Sequence, residues 1–294
     1  MKIVTLRDPS APVEAQFVPD AGMIGVSLTD AGVQLLGQRR GLDAYVSDGK
    51  TMGIPLLYPW ANRLSDTTYT VGGETVTLAP NTFRTDPNGL PIHGMLAGYP
   101  RWRVVAQSDN ELTAEVDFGA DPNLLASFPF PHLLALTVRL SERTLTVRAA
   151  VTPTADKAVP LCYGFHPYLQ LPGAPRSEWI IGTPPLRHLK LDEQGLPTGE
   201  SASQPAITEP LGDKTFDDGY DQVPDGEVFT LSGGDRRIEV RFDQGYPAAQ
   251  IFAPPGEDVV CFEPMAAPTD SLRRGGYRLA QPGDSDIAQF SIRV

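Results

Sequence analysis

The chain has 294 residues, 41% of them hydrophobic, and a formal net charge of −12. That charge excludes a nucleic-acid partner, which would need clustered Lys and Arg against phosphates. Glycine and proline number 28 and 29, about a fifth of the chain against a usual share of roughly 12%, which predicts short elements joined by turns rather than disorder.

Taken in chain order, apolar residues recur with period two. Met1-Lys2-Ile3-Val4 runs straight into polar sequence, which predicts no signal peptide and a cytoplasmic location. Tyr69-Thr70-Val71 and Val76-Thr77-Leu78 flank Gly72-Gly73 and predict a hairpin. Leu112, Ala114, Val116 and Phe118 alternate with polar residues as a half-buried strand does, and Pro122 to Ala126 suits a short helix. Leu134 to Leu140 and Leu145 to Ala149 predict a second hairpin, with Ser141-Glu142-Arg143-Thr144 as a four-residue connection. The polar stretch from Asp192 to Ile207 predicts a long surface loop. Strand patterning resumes at Ile238, Val240 and Phe242, a helical turn is expected from Thr269 to Arg274, and Ala288, Phe290, Ile292 and Val294 close the series. Many strands with Gly/Pro punctuation and few short helices predict an all-β fold, a large antiparallel sandwich or barrel. Without a linker or repeat, residues 1–294 are expected to form one domain. No apolar run is long enough for a membrane span, so no membrane partner is expected.

Two segments carry ionisable groups in apolar frames: Tyr163-Gly164-Phe165-His166-Pro167-Tyr168 and Cys261-Phe262-Glu263-Pro264-Met265. Apolar surroundings shift a titrating group and a fixed backbone aims it, so His166 and Glu263 are candidates for an acid and a base. The plainer alternatives are a structural histidine and a carboxylate paired with Arg273 or Arg274. Three further sites are Asn62-Arg63 after Pro59-Trp60, His93-Gly94 in a glycine-flanked loop, and Asp217-Asp218 before Gly219-Tyr220. Cys162 and Cys261 have no metal-ligand spacing and suit small buried hydrophobes. His132 suits packing at a strand start, His188 a surface or strand position, and Trp60 and Tyr168 the core. No metal cluster, phosphate-cradling glycine loop or nucleophile elbow is present.

In this order and spacing the motifs resemble the aldose 1-epimerase (galactose mutarotase) family. The resemblance rests on Asn62-Arg63, His93-Gly94 with Trp102 beyond, His166-Pro167-Tyr168-Leu169, Asp217-Asp218-Gly219-Tyr220 and Glu263. Met95 and Leu169 stand where the family often has Gly and Phe, and the Glu263-Pro264-Met265-Ala266-Ala267-Pro268-Thr269-Asp270 ending resembles a divergent bacterial branch. The resemblance implies a large β-sandwich (the galactose mutarotase-like supersandwich) and interconversion of the α and β anomers of an aldohexose by acid–base ring opening. It implies Glu263 as base and His166 as acid, with Arg63, His93, Asp217 and Asn62 as substrate-binding residues. That chemistry balances its protons over a cycle and needs neither cofactor nor metal. Acidic neighbours are expected to keep His166 protonated. The alternatives are a hexose-6-phosphate 1-epimerase with Arg39, Arg40, Arg84 and Arg101 as its phosphate site, a glycosidase using Asp217 and Glu263, and a non-catalytic sugar-binding protein.

Overall fold

Two large antiparallel sheets carry the fold of the computed structural model, which describes residues 1–294. The first has nine strands, in the spatial order Arg103–Gln107, Glu111–Asp117, His132–Ser141, Thr144–Pro153, Asp286–Arg293, Arg236–Gln244, Glu227–Gly233, Ile180–Thr183 and Ile207–Pro210. The second runs Pro197–Gln204, Leu186–Leu191, Phe216–Asp221, Ala248–Ala253, Val260–Met265, Gly164–Phe165 and Leu56–Leu57. Its eighth strand, Tyr168–Leu169, also pairs with Val260–Met265.

Alternation decides which side chains meet between the sheets. Leu134, Leu136, Val138 and Leu140 are buried while their neighbours are half-buried or exposed, as period-two patterning requires. Phe262 from the second sheet meets Phe229 from the first at 5.4 Å between ring centroids, and Phe165 meets Phe290 at 5.0 Å. The molecule is therefore an all-β sandwich with short helices only. A core cluster of 66 buried residues draws on the chain from Val4 to Ile292. No helix is long and apolar enough to cross a membrane.

Both predicted hairpins are present, one with a shorter connection than expected. Thr68–Val71 pairs with Glu74–Thr77 around Gly72-Gly73. In the other, Ser141 still pairs with Thr144, so Glu142 and Arg143 alone make the turn. Both have positive φ, 52° and 61°, as a two-residue type I′ connection demands. Arg143 is held there by bonds from its amide N–H to Asp8 and from its Nε to the carbonyl of Val294.

The predicted loop from Asp192 to Ile207 is a correction: Pro197–Gln204 is a strand paired with Leu186–Leu191. It lies at the sheet edge and is exposed along most of its length. Nothing there requires apolar alternation; backbone pairing holds it, with added bonds from Lys190 to Glu200, from Thr198 to the Lys190 carbonyl and from Arg274 to the Pro197 carbonyl. The two predicted short helices lie at Pro122–Ser127 and Ser271–Arg274, close to expectation, and a third at Gly41–Asp48 was not predicted. Asp121 starts the first by accepting the N–H of Asn123, a usual N-cap arrangement.

Candidate active site

Val260–Met265 and Ala248–Ala253 are covered on both faces, so one face of each packs into the sandwich and the other lines a cleft. Phe262 faces the core, so Glu263 must point the opposite way. Gln250 is its register partner on the neighbouring strand and shares that face. One strand further on, Asp217 pairs with Phe252 and again faces the cleft. The same parity sends Asp218 and Tyr220 to the other face, where Asp218 lies 3.1 Å from His188. Asp221 is paired with Arg187. Of the three aspartates near Gly219, Asp217 alone lines the cleft.

The histidines and Arg63 arrive on loops that cannot sit elsewhere. Phe165 is fixed in the core, and His166 follows as the strand ends, its N–H bonded to Pro55. Gly94 has φ 71°, and a Cβ there would fall 2.1 Å from the Tyr58 carbonyl oxygen; only glycine fits. This holds His93 with its N–H bonded to the Asn62 carbonyl, 2.9 Å. Asn62 is itself buried, and its Oδ1 accepts from Arg63 Nη1 at 3.1 Å. Arg63 Nε donates to Asp86 at 2.8 Å. Asp270 braces the same loop, accepting the Ser65 N–H at 2.8 Å and donating its own N–H to the Arg63 carbonyl.

All six predicted site residues thus line one open, mostly polar cleft of about 410 Å³, within the range of small-ligand sites. His166 Nε2 and Glu263 Oε1 are 3.2 Å apart, and both side chains are almost wholly buried. Four residues lining this cleft each keep a buried polar atom without a protein partner: His93 Nδ1, His166 Nδ1, Gln250 Oε1 and Glu263 Oε2. Buried polar atoms are rarely left so. No three His, Cys, Asp or Glu side chains are gathered as a metal site requires.

Burial dominates the electrostatics. It pushes the Glu263 carboxyl well above its ordinary range, with Asp217 adding to the rise and Arg63 opposing it. Burial also pulls the His166 imidazole well below its ordinary value, helped by His93 and Arg39, and takes His93 down to about 3, with Arg63 adding. The expectation that acidic neighbours protonate His166 is therefore corrected. The net charge of −12 does not reach a desolvated ring flanked by Arg39 and His93. Asp86 behaves differently: burial raises it, but bonds from Arg63 and from the N–H groups of Leu90 and Asn88 win and leave it below its ordinary value.

Other sequence readings resolve plainly. Glu263 does not pair with Arg273 or Arg274, which bond Thr68, Ser65, Asp270 and Pro197. Arg39, Arg40 and Arg84 line the cleft, joined by Lys50. Arg101 instead pairs with Asp121 beside a separate depression. His132 is fully buried at a strand start, within 2.6 Å of both Tyr58 Oη and the Phe130 carbonyl oxygen. Cys162 and Cys261 are free and buried. Sequence reading missed Asp86 and Gln250. Gln250 was detectable as the one polar residue in Ala248–Ala253, whereas Asp86 sits in an ordinary Asp-Pro-Asn-Gly turn.

Comparison with known proteins agrees with the all-β fold. A family model described as aldose 1-epimerase matches residues 11–286. Among solved structures, the chain is similar to a protein of Synechocystis sp. PCC 6803, with TM-score 0.80, 22% identity, and 99% of this chain and 95% of that one covered. It is also similar to a galactose mutarotase-like protein from Clostridium acetobutylicum, with TM-score 0.80, 19% identity, and 99% and 98% covered. A galactose 1-epimerase from Lactobacillus acidophilus NCFM superposes with TM-score 0.76 at 16% identity, over 100% and 98% of the two chains. At these identities the likeness shows the fold.

Proposed function

The chain belongs to the aldose 1-epimerase family, whose model spans residues 11–286, and from that premise we propose that it interconverts the α and β anomers of an aldohexose. The observation that carries this reading is the 3.2 Å approach of His166 Nε2 to Glu263 Oε1 at the cleft. The two oxygens that must exchange protons in ring opening, the C1 hydroxyl and the ring oxygen, are bonded to the same carbon. An acid and a base that nearly touch suit that demand.

In the proposed cycle the Glu263 carboxylate takes the proton of the C1 hydroxyl while protonated His166 gives its proton to the ring oxygen. The C1–O bond of the ring breaks as the C1 carbonyl forms. Rotation about C1–C2 turns the other face of the aldehyde, and the reverse transfers close the ring as the second anomer. Starting and ending pairs each hold a single proton between them. Moving it from Glu263 to His166 converts the neutral pair that burial favours into the ionised pair, with no exchange with solvent.

Arg63 is assigned to sugar hydroxyls, its guanidinium held by Asp86 and Asn62. Asp217 is assigned the same task, with Gln250 Nε2 donating to its Oδ1 at 2.7 Å. His93, held neutral, is assigned to the region of the ring oxygen. We expect Asp217→Ala to raise KM by about 10- to 100-fold, the worth of hydrogen bonds to a charged group. Asp218→Ala should leave KM near the native value in the same titration, because Asp218 faces away. A cytoplasmic setting belongs to this reading, supported by the two unpaired buried cysteines.

A hexose 6-phosphate is the second reading, favoured by a specific observation. Arg39 and Arg63 are paired with Glu257 and Asp86, but Arg40, Lys50 and Arg84 line the cleft without a carboxylate partner. Arg84 is fixed by donating to the carbonyls of Val46 and Ser47. Polarimetry on freshly dissolved α-glucose, α-galactose and glucose 6-phosphate tests both readings. Catalysed decay of rotation is expected with at least one of them. A strong preference for the phosphorylated sugar, with inhibition by inorganic phosphate, selects the second reading; indifference to phosphate selects the first. Decay at the spontaneous rate with every aldose overturns both.

A further inference from the structure

Tyr168 reads from the sequence as a core aromatic, yet it lines the cleft and its ring lies flat against His166. The ring centroids are 4.3 Å apart and the planes differ by 9°. Phe252 and His93 meet the imidazole edge-on, at 5.5 and 5.8 Å, so Tyr168 is its stacking partner. The phenol oxygen is 3.1 Å from His166 Nε2. The same nitrogen lies 3.2 Å from Glu263 Oε1, so the Tyr168 ring and its oxygen border the atom that faces the carboxylate.

Tyr168 is itself anchored at several points. Its oxygen accepts from Arg39 Nη1 at 3.0 Å and lies 2.6 Å from Thr51 Oγ1. The Arg39 guanidinium also sits 4.9 Å from the Tyr168 ring centroid and is gripped by both carboxylate oxygens of Glu257, at 2.7 and 2.8 Å. The backbone of Tyr168 pairs with Cys261, two residues before Glu263 on the same strand. One strand thus fixes both the carboxylate and the plate on which the imidazole rests.

We propose that Tyr168 is a positioning residue for His166, setting the plane of the imidazole so that Nε2 meets the reacting oxygen in line. The ring does the positioning; Arg39 and Thr51 hold the ring. This rests on the reading of His166 as the acid of anomer exchange. Its energetic sense is orientational: proton transfer tolerates errors of about 10–20°, and small misplacements of a reacting group can lower rate by around 10²-fold. An imidazole with nothing against its face turns about its Cβ–Cγ bond.

The test is a comparison of Tyr168→Leu, Tyr168→Phe, Thr51→Val and the Phe/Val double variant, with kcat, KM and thermal unfolding measured for each. Tyr168→Leu is expected to lower kcat by about 10- to 100-fold while changing KM less than about threefold, and Tyr168→Phe to recover most of that kcat. Thr51→Val and Tyr168→Phe remove the same bond, so the double variant should be no worse than the poorer single one. Tyr168→Leu that folds and keeps native kcat overturns the proposal. Should that variant fail to fold, a folded Tyr168→Phe whose kcat falls by about 10-fold or more overturns it instead, because that variant keeps the ring. A native chain without catalysed exchange counts against the epimerase reading, a different outcome from an active chain indifferent to Tyr168.

Discussion

Glu263→Gln is expected to lower kcat/KM for anomer exchange by about 10²- to 10⁴-fold, the usual worth of a positioned general base. That is roughly 3–5 kcal/mol of transition-state stabilisation. The amide keeps the shape of the carboxyl group and can still face His166 Nε2, so sugar binding should survive while proton removal at the C1 hydroxyl does not. Loss in kcat with little change in KM marks an interaction made in the transition state.

The same variant should be more heat-stable than the native chain, and the sign of its pH dependence is fixed. Glu263 titrates above its ordinary 4.5 in the folded protein because it is buried. Its contribution to stability is complete below that ordinary value and is lost as pH rises through the folded one. Glutamine carries no such loss. The gain in Tm from Glu263→Gln should therefore be larger at pH 8 than at pH 4.5, a trade of stability against activity common at catalytic positions. Equal Tm differences at the two pH values would contradict the desolvation argument.

His166→Ala is expected to lower kcat by a comparable factor, about 10²- to 10⁴-fold, with a change in the shape of the pH profile. In the proposed cycle the pair works while it holds one proton. Activity should fall on the acid side as the pair takes a second proton, at a pH below the ordinary histidine value of 6.5 because burial lowers His166. It should fall on the alkaline side as the pair loses its only proton, above the ordinary carboxylate value because burial raises Glu263. Both limbs belong to the coupled pair rather than to either residue. Without the imidazole the coupled profile disappears, and the residual rate should follow the titration of one carboxyl group. A variant that keeps the native profile at reduced amplitude would place the acid elsewhere.

Much of the candidate site was legible because its residues stand in conspicuous sequence. His166 and Glu263 are buried, so they stand among Phe, Tyr, Met and Cys, where an ionisable residue is noticeable. Gly94 had to be glycine because the Tyr58 carbonyl leaves no room for a Cβ. Asp217 could be separated from Asp218 only by sheet parity, once Phe252 and Ile251 were known as their partners. What stayed hidden belongs to long-range pairing. Asp86 meets Arg63 across 23 residues of chain, and Thr51 meets Tyr168 across 117; no local pattern marks either.

Secondary structure follows the same division. Leu134, Leu136, Val138 and Leu140 announce their strand because one face is buried and the other is not. Pro197–Gln204 is a strand by virtue of Leu186–Leu191 beside it, and its exposed polar side chains carry no record of that. Helix Gly41–Asp48 buries Tyr45 alone, too little for an apolar stripe. Yet the segment just after it supplies Lys50 and Thr51 to the cleft.

The central claim is that Glu263 and His166 together open and close a sugar ring. Exchange NMR between the α and β anomeric protons of an equilibrated aldose measures that directly, since no net reaction or coupling enzyme is involved. Native chain is predicted to produce exchange between the two anomeric signals faster than the spontaneous rate, and Glu263→Gln at equal concentration is predicted to produce none above it. Exchange that persists undiminished in the folded Glu263→Gln variant would contradict the account.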